Sequence, residues 1–182
     1  MRSRAVTIIA LVLIALPGPR DSNRAQDLQP TEYQLKAAFL FNFAKFVEWP
    51  PRAFAAATSP FVIGILGQNP FHEDLARTIK DKTIDDHPLV VTEFRSPAEA
   101  TNCHLLFINA AEKSRWPEVF RALNGSSVLT VSEADHFTES GGMINFVLKG
   151  TKIRFQINHD AAAKAGLKIS SKLMSLAVDS AS

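Results

Sequence analysis

The sequence predicts an α/β fold: a mostly parallel sheet of about four strands with flanking helices, closed at one edge by an antiparallel C-terminal hairpin. Two observations carry this. Short continuous apolar runs, such as Phe61-Val-Ile-Gly-Ile-Leu66 and Cys103-His-Leu-Leu-Phe-Ile108, alternate with segments of helical period, and such runs are what strands covered on both faces look like. Near the C-terminus the pattern changes to period two around Gly150-Thr151, the mark of a two-residue hairpin.

Taken in order, residues 31–49 read as a helix, with Leu35, Ala38, Phe39, Asn42, Phe43 and Phe46 recurring at three- and four-residue steps. Thr31 followed three residues later by Gln34 resembles a capping box, and Pro50-Pro51 is the expected stop, because proline neither extends the ladder nor lets its predecessor stay helical. The stripe is more aromatic than one buried face needs. Phe41 falls off it, so this helix is expected to pack on the sheet and also to meet a second copy of the chain. Residues 61–66 form the first strand, 71–80 a helix with Phe71, Leu75 and Ile79 at four-residue steps, and Leu89-Val-Val-Thr-Glu-Phe94 the second strand. A short helical turn at 97–100 precedes the third strand at 103–108. Residues 114–123 then give a helix with Trp116, Val119, Phe120 and Leu123 inward, and Val128-Leu-Thr-Val131 the fourth strand. The hairpin comprises Met143-Ile-Asn-Phe-Val-Leu148 and Ile153-Arg-Phe-Gln-Ile157. Helices at 160–165, ended by Gly166, and at 170–177, with Leu173, Leu176 and Ala177 apolar, complete the chain.

Residues 1–25 read as an export signal. Arg2 and Arg4 precede an apolar run from Ala5 to Leu16 that Pro17 stops, and about a dozen residues are too few to span a bilayer that needs ~20. Cleavage is expected near Ala25, leaving residues 26–182 as one domain; retention as an uncleaved anchor is the alternative. The signal is the source of the apparent basicity. The full chain has 20 Lys and Arg against 18 Asp and Glu, and losing Arg2, Arg4, Arg20 and Arg24 with Asp21 leaves 16 against 17. No basic field remains for nucleic acid. Cys103 is the only cysteine, so no intrachain disulfide can form. Its place at the head of an apolar run favours a buried, inert thiol over an intermolecular bridge or redox sensor.

Catalytic chemistry finds little support. No Gly-x-Ser-x-Gly pentapeptide occurs, and Gly64-Ile-Leu-Gly67 lacks the third glycine of a dinucleotide fingerprint. Gly64, inside a strand, reads instead as a place where a helix packs closely. The acid and histidine groups at 72–74, 85–87, 135–136 and 159–160 are adjacent pairs and runs that fan apart instead of converging on a metal. Neither a catalytic residue, a metal ligand nor a cofactor is therefore expected. A possible small-molecule ligand would sit beyond the carboxyl ends of the strands, where the expected residues are Asn69, Pro70, Phe71, Asn109 and Ser132, each of which also suits an ordinary cap or turn.

Several phrases together carry a family resemblance. Glu32-Tyr-Gln-Leu-Lys-Ala-Ala-Phe-Leu-Phe-Asn-Phe-Ala-Lys-Phe-Val-Glu-Trp-Pro50, the run 61–67 with Asn69-Pro-Phe71, Cys103-His-Leu-Leu-Phe-Ile108, Val128-Leu-Thr-Val-Ser132, Gly141-Gly-Met-Ile144, Ile153-Arg-Phe-Gln-Ile-Asn158 and Ala165-Gly-Leu-Lys-Ile-Ser-Ser-Lys-Leu173 resemble, in order and over nearly the whole mature chain, the YfiR family of exported bacterial proteins. The resemblance implies a small periplasmic α/β regulator that binds the periplasmic part of an inner-membrane diguanylate cyclase, holds it inactive, and so restrains cyclic di-GMP signalling and biofilm formation. Some members carry extra cysteines whose pairing tunes repression, which this chain cannot copy. The expected partner surface is Ser170, Ser171 and Lys172 on the terminal helix, with Phe41 serving a homodimer. The alternative readings are a periplasmic small-ligand-binding sensor module serving another membrane partner, and an uncharacterised hydrolase.

Overall fold

The computed structural model describes residues 30–179, so the export signal, its cleavage near Ala25 and the last three residues lie outside the described residues. The first helix, α1 (Glu32–Phe46), starts on a complete capping box. Thr31 Oγ1 accepts from the Gln34 amide at 3.2 Å, and Gln34 Oε1 accepts from the Thr31 amide at 3.0 Å, satisfying two donors that a helix start would otherwise leave bare. The helix ends before Pro50. At β1 (Val47–Glu48) the backbone turns extended to pair antiparallel with β9 (Lys168–Ile169), so a tertiary pairing stops the helix one turn ahead of the prolines.

The main sheet contains β2 (Phe61–Leu66), β3 (Thr83–Ile84), β4 (His87–Phe94), β5 (Leu105–Ile108), β6 (Leu129–Ser132), β7 (Ile144–Lys149) and β8 (Lys152–Ile157), in the order β3-β4-β2-β5-β6-β7-β8. The parallel run β4-β2-β5-β6-β7 has an antiparallel strand at each end. The class is the expected one, but the parallel run is longer. The first hairpin strand, β7, lies parallel to β6 and extends that run before β8 turns back through Gly150-Thr151, where Gly150 takes φ +63°. Strand β3 was not anticipated. It joins β4 through Asp85-Asp86, both at positive φ (47° and 68°), the mirror-image turn that matches strand twist and that glycine or asparagine usually supplies.

Two apolar layers cover the sheet. On one face Leu40 and Phe43 of α1 pack on Ile63, Ile65, Leu105, Phe107, Ile144, Phe146 and Phe155; on the other, Trp116, Val119 and Phe137 meet Leu66, Leu106 and Ile108. The buried face of α1 is Lys36, Ala37, Leu40, Phe43 and Ala44, rotated from the expected stripe: Leu35 is 40% exposed and Ala38 and Asn42 face solvent. Small Ala37 and Ala44 let the helix approach the sheet, while Phe39 and Phe46 pack from its flanks. Helix α2 (Asp74–Ile79) is shorter than expected because His72 takes φ +49°. Phe71 is therefore not its first residue but a buried plug ahead of it, edge-on to Tyr33 and Phe107. Helix α3 (Trp116–Ala122) follows a 3-10 segment at Ala110–Arg115, with Pro117 tolerated in its first turn.

Helix α4 (His159–Lys164) is capped by Asn158 and followed by Gly166 at φ +77°. Helix α5 (Ser171–Met174) is capped by Ser170 and stops short of Ala177. Beyond it the Val178 amide donates to the Phe155 carbonyl of β8 at 2.8 Å, tying the tail to the sheet edge. Gly64 does allow a close approach, but by strand side chains and not by a helix: a Cβ there would lie 2.6 Å from the Phe94 ring and 2.9 Å from Leu106 Cδ1. Cys103 is buried, and burial pushes its thiol up to about 12.

Candidate functional site

Among the parallel strands the chain order reverses between β2 and β5, the place where doubly wound sheets open a crevice for ligands. Gly67, Asn69 and Asn109 stand at this point, and Ser132 ends the neighbouring strand. All three polar side chains are engaged inside the protein. Asn69 Nδ2 donates to Glu93 Oε1 at 2.7 Å while its Oδ1 accepts from the Phe71 amide at 2.9 Å. Asn109 Nδ2 donates to the Gln68 carbonyl at 2.8 Å and its Oδ1 accepts from the Ala111 amide at 2.9 Å. Ser132 Oγ donates to the Ile108 carbonyl at 2.8 Å. Pro70 is half-buried in the turn and Phe71 belongs to the core. Gly67, at φ +89°, lies beneath Glu112, whose Oε1 would be 2.9 Å from a Cβ there. The crevice is thus filled by the protein's own turns.

A polar cluster that sequence reasoning missed lies further along the same end of the sheet. Lys36, on the buried face of α1, points its ammonium at Glu32 Oε1 (2.5 Å) and Glu133 Oε2, while the Tyr33 hydroxyl donates to Glu133 Oε1 at 3.1 Å. The Lys36 side chain is 5% exposed and that of Glu133 15%. Burial works against the Lys36 ammonium, yet its hydrogen bonds to Glu133 and Glu32 outweigh burial and hold its pKa above the ordinary amine value. Burial, followed by the Glu133 charge, raises the Tyr33 phenol. The cluster floors a cavity of about 400 Å³ walled by Phe146, Leu148 and Ile153 that includes none of the five expected ligand residues. One local signal could have found it: Glu32 and Lys36 are four apart on one helix, an ion-pair spacing. Nothing local names Glu133, almost a hundred residues away.

The expected partner residues divide between two flanks of α1. Phe41 is half-buried, with the Lys82 ammonium 4.5 Å from its ring centre. The terminal trio lies at the other end. Ser170 caps α5 through its hydroxyl and donates its amide to the Phe46 carbonyl; Ser171 and Lys172 are exposed, and the Lys172 ammonium lies 5.1 Å over the Phe46 ring. Leu173 is buried, whereas Leu176, also expected to bury, is 58% exposed.

Fold and site together define an α/β chain of doubly wound strand order whose switch point is stoppered and whose free apolar side chains lie at the periphery. The model of the YfiR/HmsC-like family matches residues 33–178. This chain belongs to that family, a regulatory one whose better-known members are periplasmic and control membrane-bound diguanylate cyclases.

Proposed function

We propose that this chain is an exported, single-domain protein that binds the periplasmic part of an inner-membrane diguanylate cyclase and holds the enzyme inactive, using α5 and the residues just after it. The observation that carries the surface is Leu176, 58% exposed beside the exposed Ser171 and Lys172. Leu176 and the Lys172 ammonium over the Phe46 ring leave apolar area in water whose burial by a partner gains about 25 cal/mol per Å². The segment is also firmly mounted, since β9 pairs with β1 and Ser170 bonds Phe46, so a partner meets an ordered surface. In the same reading Phe41 contributes to a homodimer.

The test is capture of the cyclase from membranes by the mature chain, with cyclic di-GMP measured in the same cells. Leu176→Asp and Lys172→Glu lose capture and raise cyclic di-GMP while leaving melting within about 0.5 kcal/mol of wild type, as surface substitutions do. Unchanged repression in both variants would remove α5 from the contact. Mass spectrometry of osmotic-shock fluid reads the new N-terminus, and sedimentation of Phe41→Ser reads the dimer: a monomer before and after the change refutes the homodimer.

A further inference from the structure

At the amino end of the sheet, opposite the stoppered crevice, four rings stack in sequence: His87 on Phe54 (centroids 3.9 Å apart), Phe54 on His104 (4.5 Å) and His104 on Phe61 (4.8 Å). The Trp49 ring meets Phe61 edge-on, and its indole N–H donates to the His104 carbonyl at 3.1 Å. Phe54 belongs to the strap of residues 49–60 that leads from the end of α1 into β2. His104 performs a backbone's task. Its amide donates to the Val62 carbonyl at 2.9 Å, and its Nδ1 accepts from the Val62 amide at 3.0 Å, so one imidazole supplies the rung that would otherwise be missing where β2 and β5 begin to pair. That bond fixes the proton on Nε2, which is buried and has no hydrogen-bond partner among the described residues. His104 as a whole is 4% exposed.

We propose that His104 is a proton-operated latch for the strap: protonation of Nδ1 abolishes the bond from Val62, leaves a charged ring without solvation between Phe54 and Phe61, and releases residues 49–60 from the sheet. The surroundings give that charge little relief. His87 faces it across Phe54 from β4, Arg52 of the strap lines the cavity beside it, the neighbouring Cys103 thiol is neutral, and among the described residues no carboxylate lines that cavity. Among the described residues, the one group favouring the charged form is the Ala53 carbonyl. Burial, the largest influence, lowers the His104 pKa below the ordinary 6.5 against that carbonyl, and His87 lowers it further. The sign follows. The closed strap requires neutral His104, so it is fully favoured above the ordinary pKa and loses ground as pH falls from there toward the depressed value. His87 is not the latch, because its Nδ1 hydrogen bond to the Ser59 carbonyl, 2.6 Å, survives a second proton on the ring. The released strap is the root of β1, and through it of the β9 pairing beneath α5, so mild acid reaches the terminal segment through the chain itself.

Hydrogen exchange of the intact protein, corrected for the intrinsic pH dependence of amide exchange, tests this. Peptides covering residues 49–62 are expected to open up to about tenfold more for each pH unit below about 6.5, while β6 and β7 stay protected. His104→Asn, whose amide oxygen accepts from Val62 but takes no proton, removes the pH dependence, and His87→Phe keeps it. Equal protection at about pH 7.5 and 5.5, or an undiminished response in His104→Asn, overturns the proposal. Should His104→Asn fail to fold, nitrogen NMR of the wild-type imidazole decides. The Nε2–H tautomer with a depressed pKa supports the latch, and a proton resident on Nδ1 at neutral pH, or an undepressed pKa, refutes it.

Discussion

Replacing Lys36 with methionine keeps a buried apolar stem and removes the ammonium, which lies 4.8 Å from the Tyr33 ring centre and 5.8 Å from that of Phe146. What remains is Glu133, 15% exposed in its side chain, with the Tyr33 hydroxyl as its sole remaining donor among the described residues. Removing one member of a buried ion pair costs about 3–5 kcal/mol; an exposed pair is worth about 0–1 kcal/mol. Glu133 borders an open cavity, so water replaces part of the lost bond and the expected loss for Lys36→Met is about 2–3 kcal/mol. Glu32, 46% exposed, adds little. The informative variant is the double one. Lys36→Met with Glu133→Gln leaves no uncompensated buried charge and still offers the Tyr33 hydroxyl an acceptor, so it is expected within about 1 kcal/mol of wild type, more stable than the single change. Urea unfolding followed by circular dichroism, with unchanged slopes, measures both. A single variant that loses under about 1 kcal/mol, or a double variant no better than the single, refutes the view that Lys36 is held by neutralising a buried carboxylate.

Three further outcomes follow from packing and burial. Gly64→Ala puts a Cβ within 2.6 Å of the Phe94 ring and is expected to cost about 1–3 kcal/mol in the same titration, as overpacking does. Ser170→Ala removes the hydroxyl that accepts from the Leu173 amide and is expected to cost about 1 kcal/mol, with exchange at 171–174 rising ahead of the rest of the chain. Cys103, with its thiol raised from 9.0 to about 12, is expected to resist maleimide until the protein unfolds. By linkage its contribution to stability is complete below the unfolded pKa of 9.0 and is lost as pH rises from there toward 12.

The central strands were legible because each is an unbroken apolar run, and a strand covered on both faces has no other way to be written. Phe61–Leu66 and Leu105–Ile108 are such cases, and the hairpin's alternation was equally direct. Where local and tertiary preferences compete, the sequence misleads. The aromatic run of α1 fits several helical faces, and only packing against the sheet selects the one through Ala37, Leu40, Phe43 and Ala44 over one through Leu35, Ala38 and Asn42. The two-residue strands β1, β3 and β9 have too few residues for any period. Asp85 and Asp86 give no glycine to betray the turn that makes β3. Asn69, Asn109 and Ser132 stand at the strand ends, yet what each bonds depends on carbonyls and carboxylates brought in by other loops. Lys36 shows the same limit. Glu32 is written four residues away, but the partner that makes the cluster arrives from the end of β6.

A crevice at a topological switch point binds ligands when the groups there are left without partners. In this chain Asn69 closes on Glu93 and its own turn, Asn109 bridges Gln68 and Ala111, and Glu112 covers Gly67. Opening that site would break several hydrogen bonds worth about 1 kcal/mol each before any ligand gained one. Exposed apolar side chains are different, since covering them gains about 25 cal/mol per Å² without breaking anything. Leu176 is in that position, on a segment rooted through β9 to β1 and so to the strap that follows it, and Leu148, 61% exposed at the Lys36 cavity, is in the same position. The same physical reasoning that removes the switch point from the list of inviting surfaces leaves such apolar side chains on it, and under the proposed latch a small chemical signal would reach the terminal segment from the amino-end histidine instead of from the customary carboxyl-end crevice.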